Sequence, residues 1–293
     1  PAMHTEMWEH PAVQENIATL RRRGVHVLEP AAGRLAGGDV GAGRLADPAD
    51  IVAAAAGILA SGRRLAGVRA VVTAGGTREP LDPVRFIGNR SSGKQGYAVA
   101  AALARRGAEV TLISTVSGTL TAPTGVAVVE VETAAQMEAA MASAAGAAQV
   151  IVMAAAVADF APKVRADHKL KKAEGPPEVV LEPTPDILAG LGRTRRPDQV
   201  LVGFAAETVT GSGGDLRSYA LSKLAAKGAD LIVANDVAAP GVGFTHDTNA
   251  VLIVGSGGLE IEIPLAAKDA VAEAVVDAIV GRLPNPNQAQ EQS

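Results

Sequence analysis

From about residue 70 onward, short runs of Val, Ile and Leu alternate with Ala-rich stretches in which apolar residues recur at helical spacing. This alternation is typical of parallel strands covered by helices on both faces, and it predicts a doubly wound α/β sheet. The predicted strands span 70–74, 109–114, 126–131, 150–154, 200–204 and 230–234, and the predicted helices span 94–106, 134–147, 215–227 and 267–281.

Two further strands are predicted at 250–254 and 259–263, with Gly-Ser-Gly-Gly between them. A short link of this composition typically joins antiparallel strands, so we expect a hairpin at one edge of the sheet. The predicted fold class is therefore α/β, with a Rossmann-like, doubly wound and mostly parallel sheet.

The first 60 or so residues do not continue this pattern. They predict a helix at 14–23, a short strand at 25–28, a Gly-rich loop at 33–43 and a second helix. These elements would bury too little apolar surface to form a core alone.

The domain limits follow from changes in composition. Residues 60–67 include Ser-Gly-Arg-Arg and predict a linker, while residues 284–293 are polar and predict a disordered tail. We expect domains at 1–62 and 63–283, followed by that tail.

Composition and charge exclude several classes of function. No apolar run reaches the ~20 residues of a membrane-spanning helix, so no membrane association is expected. A net charge of -4 argues against a nucleic-acid partner. The chain has no cysteine, which excludes disulfides and thiolate chemistry, and we expect it in the cytoplasm. The opening segment does not resemble a signal peptide, and without an initiator Met it predicts a longer parent protein.

Two Gly-containing segments lie where ligands bind such sheets. Gly75 and Gly76 follow the first strand of the sheet and would let a ligand approach the backbone, although a simple turn explains them equally well. The segment 89–96, Asn-Arg-Ser-Ser-Gly-Lys-Gln-Gly, opens a helix. Its free amides predict an anion site at Ser91, Ser92, Gly93 and Gly96; the alternative is a capped helix with solvated basic residues.

Two common nucleotide-binding motifs are disfavoured. The spacing from Gly88 to Lys94 fits a P-loop, but Gln95 replaces the expected Ser or Thr. The first strand is not followed by G-x-G-x-x-G, and the second ends in Ser114-Thr115 without an acidic residue. A nicotinamide dinucleotide is therefore not expected.

Further polar residues follow the later strands. Asp159 follows the strand at 150–154 and could accept a hydrogen bond from an amine, or simply form a turn. The run Lys-Leu-Lys-Lys at 169–172 predicts either a solvated surface or a flexible basic lid that closes on a polyphosphate. Lys223 and Lys227 lie on one helix face, where their repulsion is either tolerated at the surface or relieved by a shared anion.

Six segments, taken in order, resemble the phosphopantothenoylcysteine synthetase family over residues 67–279. They are Thr-Ala-Gly-Gly-Thr-Arg-Glu-Pro, Asn-Arg-Ser-Ser-Gly-Lys-Gln-Gly, Ala-Ala-Ala-Val-Ala-Asp-Phe, Lys-Leu-Lys-Lys, Gly-Phe-Ala-Ala-Glu-Thr and Ala-Asn-Asp. The resemblance implies coenzyme A biosynthesis, in which 4'-phosphopantothenate attacks CTP to give an acyl-cytidylate and L-cysteine then displaces CMP.

The resemblance also implies roles for single residues. Asn89 would hold the acyl-cytidylate, and Lys169 would stabilise charge as it forms or breaks. Asn235, with Ser91, Gly93 and Gly96, would contact substrate. The positions that resemble the CTP site are Ala155, Asp159, Thr184, Pro185, Asp186, Ile187, Phe204, Lys223 and Lys227.

The family further implies a divalent cation, Mg2+ or Mn2+, for which no protein ligand is evident in the sequence. It implies a homodimer or higher homo-oligomer, in which the basic lid could serve a neighbouring site. The competing hypothesis is a regulatory or dehydrogenase-like module that binds a nucleotide without ligase activity.

Residues 1–58 resemble the end of a flavoprotein decarboxylase, which predicts a remnant of a flavodoxin-like domain. His4 stands where its Pro-Ala-Met-Asn motif has Asn, and Gly37 stands where its clamping loop has a catalytic Cys. We expect a variant FMN-dependent decarboxylase in the full-length parent only, and no stable FMN binding by these 293 residues.

Overall fold

A computed structural model describes residues 1–35, 37–38, 40–62, 64–171, 175, 177–208, 215–239, 241–243 and 246–284. The chain divides into two compact units, Pro1–Arg63 and Arg64–Ser293. The predicted tail lies outside the described residues except for Pro284.

The smaller unit combines three helices with an antiparallel strand pair. Its elements are α1 (Thr5–Trp8), α2 (Pro11–Arg22), β1 (Ala31–Arg34), β2 (Val40–Arg44) and α3 (Pro48–Gly62). The strand predicted at 25–28 is wrong: this segment is irregular, and Val25 and Leu28 are exposed rather than packed on one face. The predicted Gly-rich loop contains the strand pair instead, because glycine at positions 33 and 43 adopts positive φ. The flavodoxin-like origin of this unit stays a prediction.

The larger unit contains an eight-stranded sheet, so the prediction of an α/β fold with a large, mostly parallel sheet is confirmed. The strands are β3 (Arg69–Ala74), β6 (Glu109–Ser114), β7 (Val126–Glu130), β8 (Val150–Met153), β11 (Val200–Glu207), β12 (Leu231–Asp236), β13 (Thr248–Gly255) and β14 (Leu259–Ala267). They lie in the order β14-β13-β12-β11-β8-β3-β6-β7.

The six strands from β7 to β12 in this order are parallel, and β13 and β14 form the predicted antiparallel edge hairpin. Numbered along the chain, the parallel strands follow the order 3-2-1-4-5-6 of doubly wound dinucleotide-binding sheets. The strand order reverses between β3 and β8, the place where such sheets bind ligands.

Helices cover both faces of the sheet. They are α4 (Lys94–Arg105), α5 (Ala134–Ala145), α6 (Ile187–Thr194), α7 (Leu216–Lys227) and α8 (Lys268–Val280). One core packs α4 and α8 against Val72 and Leu112, and the other packs α5, α6 and α7 against Val71 and Ile151. Adjacent residues of β3 thus face opposite cores, which explains why its sequence is continuously apolar.

Four three-residue strands form two small antiparallel pairs that the sequence did not predict. They are β4 (Arg78–Pro80) with β5 (Phe86–Gly88), and β9 (Phe160–Pro162) with β10 (Leu181–Pro183). Both β4 and β5 contact β9. We call these strands, with residues 81–85 and 163–171, the arm. Within the described part of the chain, no helix is long and apolar enough to cross a membrane.

Helix α4 approaches β3 most closely at Gly96. A Cβ atom at this position would lie 2.7 Å from the carbonyl oxygen of Thr73 and 2.7 Å from the Cβ of Ala74. Since backbone atoms of a central strand cannot easily move aside, only glycine allows this packing.

We therefore expect Gly96→Ala to lower the free energy of unfolding of the larger unit by about 1–3 kcal/mol, the usual cost of overpacking. Gly146→Ala is the matched control, because a Cβ there meets no atom within 4 Å and the backbone is helical. It should be neutral or stabilising by up to ~1 kcal/mol. Equal effects of the two substitutions in denaturant unfolding would contradict the packing argument.

Candidate functional site

The site lies where the strand order reverses. Strand β3 continues into Gly75 and Gly76, and β8 continues into the loop 154–159. A parallel bridge between Gly76 and Ala156 extends the pairing of the two strands past their ends. Both segments therefore emerge side by side at the carboxyl edge of the sheet, as expected for a ligand crevice.

Polar side chains fix the shape of the loop 154–159. The hydroxyl groups of Thr73 and Thr77, both fully buried, each accept a main-chain N–H of this loop, at 3.0 and 2.9 Å. The side-chain amide of Asn89 donates to a carbonyl oxygen of the same loop at 2.9 Å. The loop is thus held before any ligand arrives, which is the preorganisation that binding sites require.

A cavity of about 600 Å³ opens on one side of this loop. Its volume is in the range of sites for small molecules and cofactors. Ten residues predicted from the sequence line it: Asn89, Ala155, Asp159, Thr184, Pro185, Asp186, Ile187, Phe204, Lys223 and Lys227. The sequence analysis missed the lining residues Arg90, Met153, Ala156, Val157, Ala158, Leu188, Ala206 and Val237.

A second cavity, of about 100 Å³, lies beside the first. The two share four lining residues: Ala155, Ala156, Phe204 and Ala206. The predicted residues in the smaller cavity are Ser91, Ser92, Gly93, Gly96, Ala155, Phe204 and Asn235. The sequence analysis missed Gln95, Asn249 and Lys268, which also line it.

Three predicted site residues line neither cavity. A Cβ at Gly75 would lie 2.1 Å from Oγ1 of Thr115, and one at Gly76 would lie 2.3 Å from the carbonyl oxygen of Asn89. These two glycines therefore allow the chain to pack closely against itself, and their contact with a ligand stays a prediction. Lys169 is exposed on the arm, and Lys172 of the same basic run lies outside the described residues.

The two lysines of the larger cavity have carboxylate partners in the chain. Lys227 pairs with Asp186, and Nζ of Lys223 lies 3.7 Å from Oε1 of Glu207. Burial opposes the ionisation of Asp186, but hydrogen bonds from Lys227 and from a main-chain N–H of α6 outweigh it and hold its pKa below the usual value. The repulsion inferred between Lys223 and Lys227 is thus already relieved without a bound anion.

The smaller cavity combines free amides with a buried cation. Gly93 adopts φ 74° and is the N-cap residue of α4, whose first-turn N–H groups carry the positive end of the helix dipole. Lys268 is only 7% exposed, and its Nζ donates to the carbonyl oxygens of Gly243 at 3.3 Å and His246 at 2.6 Å. Burial lowers the pKa of Lys268, and repulsion from Lys94 adds to this effect. An anion of phosphate size matches this cavity chemically.

The amide side chains of Asn235 and Asn249 complete the polar lining. Both are buried, and Nδ2 of Asn235 donates to Oδ1 of Asn249 at 3.3 Å. In the described ranges, three or more His, Cys, Asp or Glu side chains do not gather in an arrangement that could hold a metal ion.

Comparison with known proteins identifies two regions. The family described as DNA/pantothenate metabolism flavoprotein C-terminal domain matches residues 65–283, and the family described as Flavoprotein matches residues 1–60.

Similar proteins and structures agree with this division. The chain is 51% identical over 290 residues to the coenzyme A biosynthesis bifunctional protein CoaBC of Mycobacterium tuberculosis H37Rv, a match covering 96% of this chain and 69% of that protein. It is 47% identical over 271 residues to CoaBC of Bacillus subtilis, covering 92% of this chain and 65% of that protein. A crystal structure of the C-terminal domain of CoaBC superposes with a TM-score of 0.61 at 38% identity, covering 74% of this chain and 96% of that chain.

The pair between Asp186 and Lys227 generates a prediction. Asp186 also caps α6 by accepting the N–H of Ala189 at 3.0 Å. Asp186→Asn keeps a good capping residue but removes the charge, so it should cost no more than ~1 kcal/mol of unfolding free energy. Asp186→Ala removes both and should cost about 1 kcal/mol more.

The same pair predicts a pH dependence. Because the folded pKa of Asp186 is lowered, the charge contribution is present above the ordinary carboxyl value of about 4 and is lost as pH falls through the lower folded value. The difference between wild type and Asp186→Asn should therefore stay constant from pH 7 to pH 5 and shrink in strong acid. A difference that grows with acidity would contradict this assignment.

Proposed function

Since this chain belongs to the family of the coenzyme A biosynthesis bifunctional protein CoaBC, we propose that residues 64–283 form a CTP-dependent phosphopantothenate–cysteine ligase. The observation that carries the proposal is the pair of adjoining cavities at the end of β3 and β8. One has the volume for a nucleotide and the other has the charge and size for a phosphate group. A ligase that activates a carboxylate with a nucleotide must hold two such substrates end to end.

The larger cavity takes CTP. Asp159 and the main chain of the loop 154–159 accept hydrogen bonds from the exocyclic amine of cytosine. Lys223 and Lys227 meet the triphosphate, which competes with their present carboxylate partners. A divalent cation, Mg2+ or Mn2+, would be bound mainly by the phosphate oxygens, since such ions need only one or two protein carboxylates.

The smaller cavity takes the phosphate of 4'-phosphopantothenate. The N-terminus of α4 at Ser91, Ser92 and Gly93 surrounds that phosphate, together with Asn235 and Lys268. The rest of the molecule then passes over the residues that both cavities share. This orientation brings its carboxylate next to the α-phosphate of CTP, beside Asn89.

The reaction needs no protein nucleophile. A carboxylate oxygen bonds to the α-phosphorus while the bond to the β-phosphate oxygen breaks, which gives the acyl-cytidylate and pyrophosphate. The amine of L-cysteine then attacks the acyl carbon, its proton is lost, and CMP leaves with the former carboxylate oxygen. Asn89 and the anion-binding residues contribute by orientation and electrostatic stabilisation.

A homodimer explains the position of Lys169. The arm exposes large apolar side chains, which mark protein interfaces when they are clustered. They are Val84, Phe86, Phe160, Val164 and Leu181, and Val180, which directly precedes β10, is exposed as well. We propose that this surface pairs with the arm of a second copy, and that Lys169 then enters the larger cavity of the partner.

The smaller unit belongs to a second activity of the longer parent. Residues 1–60 match a flavoprotein family, and the CoaBC relatives are longer than this chain. We propose that the full-length protein binds FMN and decarboxylates 4'-phosphopantothenoylcysteine, with Gly37 in a variant of the usual loop. The competing function, a nucleotide-binding module without ligation, is not favoured by any contact described above.

The first test is release of pyrophosphate by the purified chain. Release should require both CTP and phosphopantothenate, and the product with cysteine should appear in equal amount. kcat/KM for CTP should exceed that for ATP by about tenfold or more, equivalent to ~1.4 kcal/mol, because the loop around Asp159 suits the smaller base. No release from the pair of substrates would show a binding module instead.

The second test concerns Lys169. Lys169→Gln should lower kcat by roughly 100-fold or more, the effect of losing a preorganised charge, with an unchanged melting temperature because the residue is exposed. Lys171→Gln is the matched control and should change kcat only a few-fold. Equal losses in the two variants would indicate a general charge effect.

Mixing variants tests whether the lysine acts on the partner subunit. Lys169→Gln chains mixed with Asn89→Ala chains form mixed dimers in which one site keeps its own Asn89 and receives an intact Lys169. Half of the dimers are mixed and half of their sites are intact, so about a quarter of wild-type activity should return. If the lysine serves its own chain, the mixture stays inactive.

A further inference from the structure

The turn 81–85 of the arm contains a buried carboxylate. The side chain of Asp82 has no exposed surface, although the arm around it is exposed. Its Oδ1 accepts the main-chain N–H groups of Val84 and Arg85, both at 2.8 Å, which closes the turn. Its Oδ2 accepts Nε of Arg85 at 2.9 Å and Nη2 of the same guanidinium.

The same pair holds a segment far away in the sequence. Oδ2 of Asp82 also accepts the main-chain N–H of Leu170 at 3.2 Å, and Nη2 of Arg85 donates to the carbonyl oxygen of Leu170 at 2.8 Å. Both main-chain polar groups of Leu170 are therefore held by one ion pair. Nearby, the N–H of Ala166 donates to the carbonyl oxygen of Leu81 at 3.0 Å.

This arrangement exceeds what the turn itself needs. The two bonds to Oδ1 would be enough to close a turn of this kind. Hydrogen bonds from Arg85 hold the pKa of the Asp82 carboxyl well below its usual range, so it stays ionised at neutral pH and in mild acid. Oδ2 and the guanidinium thus provide a permanent, geometrically fixed attachment for Leu170.

We infer that Asp82 and Arg85 are positioning residues for Lys169. Lys169 precedes the attached residue directly, so its side chain extends from a fixed peptide rather than from a freely moving lid. The inference rests on the proposed function, in which Lys169 acts in the larger cavity of the partner subunit. It replaces the sequence-based expectation of a flexible basic lid, at least as far as Leu170.

The test uses Asp82→Asn in the full chain. The amide has one acceptor oxygen and presents N–H groups toward Arg85 or Leu170, so the attachment is lost. A displacement of about 1 Å can cost roughly 100-fold in rate, so kcat should fall about 10- to 100-fold while KM for CTP and phosphopantothenate changes less than ~3-fold. Asp198→Asn, which breaks an exposed pair with Arg196, is the control and should leave kcat within about twofold.

Mixing experiments separate positioning from general damage. Asp82→Asn chains should recover about a quarter of wild-type activity when mixed with Asn89→Ala chains, because the partner supplies an intact arm. They should recover nothing when mixed with Lys169→Gln chains. The opposite pattern, or no recovery with either partner, would overturn the inference.

A second variant covers the case in which Asp82→Asn does not fold or dimerise. Arg85→Lys keeps the positive charge beside Asp82 but cannot bridge to Leu170, and it should give the same mixing pattern with a smaller loss of kcat. If Lys169→Gln is impaired while Asp82→Asn and Arg85→Lys are near normal, the positioning role is wrong and the proposed function stands. If wild type releases no pyrophosphate, the proposed function itself fails.

Discussion

The loop 154–159 lies between the two cavities. Its main-chain polar groups find hydrogen-bond partners within the protein, which keeps the loop in place. Buried hydroxyl groups of Thr73 and Thr77 accept two of its N–H groups, and Asn89 donates to one of its carbonyl groups. A main chain that crosses the end of a parallel sheet would otherwise leave polar groups buried without partners, which is costly. The rest of the site depends on this loop, since small side chains there leave room for ligands on both sides.

The lysine side chains around the two cavities have partners within the chain, which is how the proposed polyanion site would stay stable without a ligand. Lys223 and Lys227 of the larger cavity are paired with carboxylates. Lys268 instead relies on main-chain carbonyl oxygens and on burial. A phosphate that enters either cavity would displace the carboxylate or carbonyl partners that these lysines already have. Its binding would therefore depend on how well it fits the cavity, and not on positive charge alone.

The sequence predicts the parallel sheet well because its strands and helices have strong periodic patterns. Most of the residues predicted for the larger cavity come from the resemblance to the phosphopantothenoylcysteine synthetase family, whereas strand patterning indicates only the edge of the sheet at which they gather. The sequence does not predict β4, β5, β9 and β10, because three residues are too few to show a period. Lys268 begins a helix and Asp82 lies in a turn, so both resemble ordinary local features; their importance depends on residues far away in the sequence. The Gly-rich pair β1 and β2 was mistaken for a loop because glycine weakens the usual strand signal.

In the proposed reaction, the carboxylate of phosphopantothenate attacks the α-phosphate of CTP to form an acyl-cytidylate. Phosphopantothenate labelled with ¹⁸O in both carboxylate oxygens reports on this step when the CMP released in the presence of cysteine is analysed by mass spectrometry. Transfer through the acyl-cytidylate places one labelled oxygen in each CMP, because the carboxylate oxygen leaves on the α-phosphate. Unlabelled CMP, or label found only in pyrophosphate, would show that the carboxylate is not activated in this way.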